Sequence, residues 1–528
     1  MVRGLSFTCG PYTRIVLETE TGLTVSITGG AVEGMMWRGL RLWRGMPYAA
    51  SPDGERRFRA PQPVEPWVGT RAADAFGPVA AQDRNGQFLG PKANVPMSED
   101  CLTINVTAPE TGGDGLPVMV YIHGGAYSVG SSREIPHLGE GLVRRGGVLF
   151  VTFNYRLGAL GYLDFTRYAT REHPIDSNLG LRDQVAALEW VRDNIAAFGG
   201  DPANVTLFGE SAGANAVTTL MTVPRASGLF ARAIAQSPPP NAVYPSEITA
   251  TWAEEFMEML SELVDDSDTE STTEEGAAQL LATAEIDALV RATTRMQLRS
   301  PDAWPGTIAL CPVIDGEFLP ERPLDAFKAG RAQRIPLIIG TNDREGSLFR
   351  GRLDILATTP QRIRAIFART RKKARKALKA QYPGLPAPRP AADFGGDYAF
   401  WFPSIKVAER HSAFAPVFFY RFDIAPRLVR LAGFDATHGL ELFALFDRMD
   451  GAFGRAMGAL GGRRAFKRAG ARMQQHWLAF AHGSAPDPGW PHYTRRARRT
   501  LIIDVADRVE IDPRRERRKA WQEFVPHI

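Results

Sequence analysis

Short runs of consecutive apolar residues, each closed by a glycine, a proline or a polar turn, recur along the 528-residue chain. Leu116–Ile122 in GLPVMVYIHGG and Gly147–Phe153 in GGVLFVTFNYR are such runs, rich in β-branched side chains. Runs of this length without alternation predict strands buried on both faces, as in a parallel sheet covered by helices. In NLGLRDQVAALEWVRDNIAAFGGD the period changes. Leu181, Val185, Leu188, Val191 and Ile195 recur at helical spacing, and Gly199-Gly200 ends the helix. VTLFG then reads as a strand and ESAGANAVTTLM as a helix, with further strands predicted at ARAIAQS, RIPLIIGTN, APVFFYRFD and RTLIIDV. Strand, turn, helix and strand in alternation predicts an α/β fold with a mostly parallel sheet.

Composition changes this picture little. Apolar residues make up 44% and charged residues 23% of the chain, enough for a substantial core. The net charge of +5 is small for this length and does not point to nucleic acid, which needs cations gathered on one face. Three cysteines, Cys9, Cys101 and Cys311, with no CxxC pair exclude a disulfide framework and a cysteine-rich zinc site, and fit a reducing compartment. The start, MVRGLSFTCGPYTRIVLETETG, has no continuous apolar stretch and no small-residue cleavage site, so no signal peptide is read. No apolar run is long enough to span a bilayer, and the expected location is cytoplasmic.

Two segments stand apart in charge. Residues 253–287 carry many acids, including Glu254, Glu255, Glu258, Glu262, Asp265, Asp266 and Asp268, and no Lys or Arg. Residues 361–379 are basic, from Arg362 and Arg364 through Arg369, Arg371, Lys372, Lys373, Arg375 and Lys376 to Lys379. Thr359-Pro360 reads as a cap and first-turn pair, and Ile363, Phe367 and Leu378 as an apolar stripe. Both segments are expected to be solvated surface helices; the alternative is that the basic one meets an anionic membrane or partner.

The chemistry begins at Gly209-Glu210-Ser211-Ala212-Gly213, a GxSxG pentapeptide between an apolar strand and a helix. In that context it predicts a nucleophile elbow, with the Ser211 hydroxyl exposed at the carboxyl end of the sheet and the two glycines sparing a collision of strand and helix. A nucleophilic serine needs donors for the charge developing on the carbonyl oxygen. His123-Gly124-Gly125-Ala126, after the strand VMVYI, offers the Gly124 and Gly125 N–H groups, and Ala212 N–H follows the nucleophile. His123 itself is read as a scaffold residue. The base must be a histidine with an acid to orient it. Of the histidines after Ser211, His438 in FDATHGLEL lies in a loop between a late strand and a helix. His411, His476, His482 and His527 read as surface or packing residues. Asp343 and Glu345 in RIPLIIGTNDREGSLF both follow a strand, and position alone leaves both open as the acid.

RGMPYAASPDGERRFRAPQPVEPW, SEDCLTINV, VYIHGGAYSVGS, NYRLGALGYL, FGGDPANVTLFGESAGA, GTNDREGSLF, THGLEL and WLAFAHGSAPDPGWPHY occur in this order over nearly the whole chain. Together they resemble the type B carboxylesterase and cholinesterase-like family of α/β-hydrolases. The resemblance implies an α/β-hydrolase fold, a large mostly parallel central sheet flanked by helices. It implies one catalytic domain over 1–528, with helical insertions near 240–310 and 350–410 forming a cap over the substrate gorge. It selects Glu345 from Asp343-Arg344-Glu345-Gly346, giving a triad of Ser211, Glu345 and His438 with an oxyanion hole of Gly124, Gly125 and Ala212. It also implies ion pairs Arg57–Glu99 and Arg156–Asp183, and a place for Glu210 near the gorge, where it favours cationic or polar groups.

Two departures matter. Ala80 in FGPVAAQ stands where secreted members carry a partner for the cysteine matching Cys101, so Cys101 is expected to be a free buried thiol. After the strand beyond the elbow helix comes Gln236-Ser237-Pro238 rather than QSG, followed by Pro239 and Pro240, which stiffen a loop beside the acyl side of the pocket.

The expected function is hydrolysis of carboxylic esters through an acyl-enzyme, acting on a small-molecule ester with no metal or cofactor, no nucleic acid and no stable membrane insertion. Alternatives are the same triad cleaving carbamates, amides or thioesters, and a non-catalytic binding protein on the same scaffold. Activity is expected to fall as His438 protonates below about pH 6.5, the ordinary value for a histidine.

Overall fold

The apolar runs pair with one another into one large sheet. The computed structural model describes residues 23–84, 91–92, 94–134, 138–264, 273–349 and 354–524, and among the described residues this sheet has eleven strands. Cys9, Asp265, Asp266, Asp268, His527 and the start of the chain read for a leader lie outside the described residues. The middle of the sheet is parallel, in the order Arg499–Ile503, Val417–Phe422, Leu337–Asn342, Arg232–Gln236, Gly200–Glu210, Leu116–Ile122 and Leu149–Phe153. Antiparallel strands close both edges, Arg508–Ile511 on one side and Thr103–Pro109 with Leu40–Pro47 on the other.

Every residue of Leu149–Phe153, Leu337–Asn342 and Val417–Phe422 is buried, which is why these strands read as continuous apolar runs. Alternate residues serve opposite faces. Val118, Val120 and Ile122 join the core beneath helices Leu179–Asn194 and Ala212–Leu220, while Met119 and Tyr121 join the core beneath helix Arg463–Ala481. Gly199, at φ +91°, stops the first helix, and an added Cβ would lie 2.0 Å from the Gly113 carbonyl oxygen.

The acidic segment falls on helices Ser246–Val264 and Glu274–Thr283, where Glu254 pairs with Arg167 and Glu262 with Arg295. The basic segment forms helices Pro360–Ala368 and Lys372–Lys379. Thr359 caps the first, accepting from the Arg362 N–H at 3.3 Å, and Ile363 and Leu378 are buried as the stripe required. One part of the surface expectation is corrected: Arg362 is buried. It pairs with Asp302 at 2.7 Å and Asp354 at 3.2 Å and donates to the Asp354 and Leu356 carbonyls, so carboxylate and carbonyl partners replace its water. Arg364, Arg369, Arg371, Lys372, Lys373, Lys376 and Lys379 are exposed. The last helix, Arg515–Phe524, packs on Lys372–Lys379. Among the described residues no helix is long and apolar enough to cross a membrane.

Candidate active site

Five successive strands of the sheet each deliver a polar group at their carboxyl ends. Gly200–Glu210 runs straight into helix Ala212–Leu220, and Ser211 between them has φ +57° and ψ −123°, a conformation L residues rarely adopt. The turn is held by Ser211 N–H donating to Gln236 O at 2.9 Å and Asn215 N–H donating to Ser211 O at 2.9 Å. The flanking glycines are needed for space. A Cβ on Gly213 would lie 2.1 Å from Ile122 O, and one on Gly209 would lie 2.6 Å from the Gly213 carbonyl carbon.

The neighbouring strand, Leu116–Ile122, ends in the glycine loop. Gly125 sits at φ +114°, and a Cβ there would lie 2.0 Å from Val129 O. Its carbonyl accepts from Ser128 and Val129 N–H, which fixes the loop. A Cβ on Gly124 would lie 3.0 Å from Ser211 Cβ, so this backbone passes directly beside Ser211. Among the described residues nothing accepts a hydrogen bond from the N–H groups of Gly124, Gly125 or Ala212. His123 is a scaffold residue as read. It is buried, stacked on Tyr155 with ring centroids 4.4 Å apart, and burial lowers it to about 4.

On the other side the strands Arg232–Gln236, Leu337–Asn342 and Val417–Phe422 lead to Ser237, Glu345 and His438. His438 Nδ1 meets Glu345 Oε2 at 2.5 Å. Glu345 Oε1 accepts from Ser237 Oγ at 2.6 Å and from Asn342 N–H at 2.5 Å. Asp343, the other carboxylate left open by position, points elsewhere: Arg514 holds it at 2.5 Å and Arg421 lies 3.6 Å away. Of the other histidines after Ser211, His411 and His476 are buried packing residues and His482 is exposed. His411 Nε2 lies 2.8 Å from Ile335 O and His476 Nδ1 lies 3.1 Å from Pro486 O. Phe349 and Phe400 flank the His438 ring, with centroids 5.1 and 4.4 Å away. Phe400 belongs to a π-helical turn, Asp397–Trp401, a local widening that directs this ring onto the imidazole.

Sequence reading did not find Ser237, Asn342 and Glu441 as parts of this cluster. Ser237 has φ +52°, and its one signal was the Gln-Ser step of its loop. Glu441 is fully buried and accepts from the Asn342 side-chain amide, and burial raises it to about 8. Glu210 is buried beside it and raised to about 7, first by burial and then by the Glu345 charge. Glu210 Oε1 lies 3.2 Å from His438 Nε2, off the line of a hydrogen bond. Burial works against a His438 cation, but the Glu210 and Glu345 charges together outweigh it and raise His438 to about 9. His438 Nε2 makes no hydrogen bond among the described residues, so its remaining bonding capacity faces the cavity beside Ser211.

That cavity has a volume of about 620 Å³ and reaches Ser211, Gly124, Gly125, Glu210 and His438 at its base. Its walls are mostly apolar, with Leu310, Leu348, Phe349, Phe400, Leu440 and Phe443 among them. Around it the expected ion pairs are present. Arg57 grips Glu99 at 2.5 and 2.8 Å and donates to the Ala282 and Ala284 carbonyls, and Arg156 grips Asp183 at 2.7 and 2.8 Å. Cys101 and Cys311 are free and buried, and burial pushes both thiols up.

Residues 21–521 match the Carboxylesterase family. The chain is 35% identical to para-nitrobenzyl esterase of Bacillus subtilis (strain 168) over 93% of its own length and 96% of that protein. It is 32% identical to phenmedipham hydrolase of Pseudarthrobacter oxydans, over 91% and 94% of the two chains. Among solved structures it resembles a PNB esterase, with TM-score 0.80, 34% identity and 94% and 99% coverage. It also resembles the Geobacillus stearothermophilus carboxylesterase EST55, with TM-score 0.79, 32% identity and 95% and 100% coverage.

Proposed function

Since the chain belongs to the carboxylesterase family of α/β-hydrolases, and is accordingly a serine hydrolase of carboxylic esters, we propose that Ser211, His438 and Glu345 are its catalytic triad and Gly124, Gly125 and Ala212 its oxyanion donors. The observation that carries this reading is the His438–Glu345 contact of 2.5 Å at the base of the cavity that holds Ser211 on its strained turn. His438 takes the Ser211 proton as the hydroxyl attacks the ester carbonyl. The freed N–H groups receive the oxyanion, each worth about 3–4 kcal/mol in such sites. His438 returns the proton to the leaving alcohol, and then activates the water that opens the acyl-enzyme. Glu345 fixes the imidazole through Nδ1 and stabilises its cation, with Ser237 and Asn342 fixing Glu345.

The insertions near 240–310 and 350–410 are proposed as the cap: Leu298, Ile308, Arg362 and Phe400 from these regions line the cavity. The free thiols Cys101 and Cys311 support a reducing, cytoplasmic setting. A serine-directed phosphonate that titrates one equivalent of wild-type protein and none of Ser211→Ala supports the triad. Equal labelling of both proteins, or labelling that maps to another serine by mass spectrometry, removes it.

A further inference from the structure

The mouth of the cavity carries large apolar side chains in the open. Leu428, Phe434, Phe453 and Leu298 line the cavity yet are 37%, 37%, 50% and 70% exposed. Leu431 stands one turn beyond Leu428 in helix Arg427–Leu431, which packs on helix Ala452–Met457. Arg427 N–H donates to Gly461 O at 3.1 Å, which brings exposed Leu460 to the same place. Nearly half of the large apolar side chains exposed among the described residues gather here. Single exposed leucines are ordinary, but a contiguous group at a binding mouth marks a contact surface.

Charge identifies the contact. Arg427, Arg430 and Arg455 are exposed between these apolar groups, and among the described residues no carboxylate pairs with them. Their neighbours Arg463 and Lys467 are both held by Asp450. Arg455 also donates to the Asp450 backbone carbonyl, which leaves its charge unneutralised. Apolar side chains interleaved with arginines that no carboxylate neutralises suit a lipid–water boundary, where leucines enter the acyl edge and guanidinium groups meet headgroup phosphates. A second copy of this face would set arginine against arginine across a two-fold axis.

We propose that this rim docks on an anionic lipid–water interface, so that the cavity draws lipophilic esters directly from it. This rests on the cavity at Ser211 being the ester site, and the two ideas are separable because docking needs no chemistry. The probes are vesicles of phosphatidylglycerol, with phosphatidylcholine vesicles for comparison, read by co-sedimentation. Wild-type protein and Ser211→Ala should bind phosphatidylglycerol equally at about 10 mM salt and release at about 1 M, where charges are screened beyond about 3 Å. Arg427→Glu/Arg430→Glu should lose at least about fivefold in partitioning for each arginine changed. Leu431→Glu/Leu460→Glu should lose at least about tenfold, through lost apolar burial. The leucine pair lies outside the cavity lining, so hydrolysis of dissolved p-nitrophenyl acetate should be unchanged while hydrolysis of emulsified tributyrin falls. No binding of wild-type protein at low salt, or equal binding by both double variants, overturns the proposal. So does a dimer by analytical ultracentrifugation that Leu431→Glu/Leu460→Glu dissolves, since that assigns the rim to self-association. If Ser211→Ala binds but wild-type protein hydrolyses nothing, docking stands and the assignment of the cavity falls.

Discussion

Glu210 is the residue whose charge can be read directly in a rate profile. In the proposed triad His438 must be neutral to accept the Ser211 proton, so whatever raises it moves the acid limb of kcat/KM to higher pH. The Glu210 and Glu345 charges raise it, so the acid limb should lie above the ordinary histidine value of about 6.5 rather than at it. Glu210→Gln removes one of those charges. His438 becomes easier to deprotonate and the limb should move to lower pH. Initial rates on p-nitrophenyl acetate across about pH 5 to 9 test both statements, and an unmoved limb in the variant would show that Glu210 does not act on the base. Ser211→Ala should lower kcat by about 10⁴-fold or more with the fold intact, because it removes the hydroxyl proposed to carry the acyl group. Ser211, Gly209 and Gly213 were legible in sequence because an elbow is a local device, written in consecutive residues. Glu441, Ser237 and Asn342 were not, because their role comes from strands meeting across the sheet: the Asn342–Glu441 contact joins residues 99 apart. Between Asp343 and Glu345 strand position could not choose, since both follow the same strand; the family resemblance pointed to Glu345, and in the fold Arg514 and Arg421 hold Asp343.

At the scale of elements, the same substitution should have opposite signs at two glycines. The helix after Ser211 starts against the end of strand Leu116–Ile122, and the two approach so closely that a Cβ on Gly213 would lie 2.1 Å from Ile122 O and 2.9 Å from His123 O. Both obstacles are backbone and cannot rotate away. Gly213→Ala should cost about 3 kcal/mol or more and displace the glycine loop from Ser211, so that kcat falls with stability. Gly141 lies inside helix Glu140–Gly146, and a Cβ there meets only the Gln474 amide, at 3.7 Å. Gly141→Ala should add about 0.4–1 kcal/mol by narrowing the unfolded ensemble, with kcat unchanged. Urea midpoints of the two variants against wild type give both signs. Strands and helices were legible at this scale because their apolar periods differ. The depth of the basic segment was not: Arg362 looks like its charged neighbours in sequence, and only the position of Asp302 and Asp354 makes its burial tolerable.

Across the whole molecule, helix Arg515–Phe524 is tied to the base of the cavity. Trp521 is fully buried in helix Arg515–Phe524, stacked on Phe394 with centroids 5.2 Å apart, and its Nε1 donates to Tyr382 Oη at 2.7 Å across 139 residues of chain. Tyr382 donates in turn to Asp397 Oδ2 at 2.5 Å, and Arg517 of the same last helix pairs with that oxygen at 3.0 Å. Asp397 opens the π-helical turn that carries Phe400 onto His438. Sequence periodicity gave no hint of this path, because an amphipathic terminal helix can cover any apolar face and only the folded chain says which. The path predicts two distinct effects of Trp521→Ala. Loss of the buried indole should cost about 3–5 kcal/mol, seen in the denaturation midpoint. Release of Asp397 should also loosen Phe400 over the imidazole, lowering kcat under conditions where the variant is fully folded. Trp521→Phe keeps a ring in the stack but loses the N–H, so it should recover most of the stability and less of the rate. A double-mutant cycle with Phe400→Leu decides whether the rate effect travels through that ring. Coupling in kcat of at least about 0.5 kcal/mol supports the path, and strict additivity assigns the Trp521 effect to stability alone.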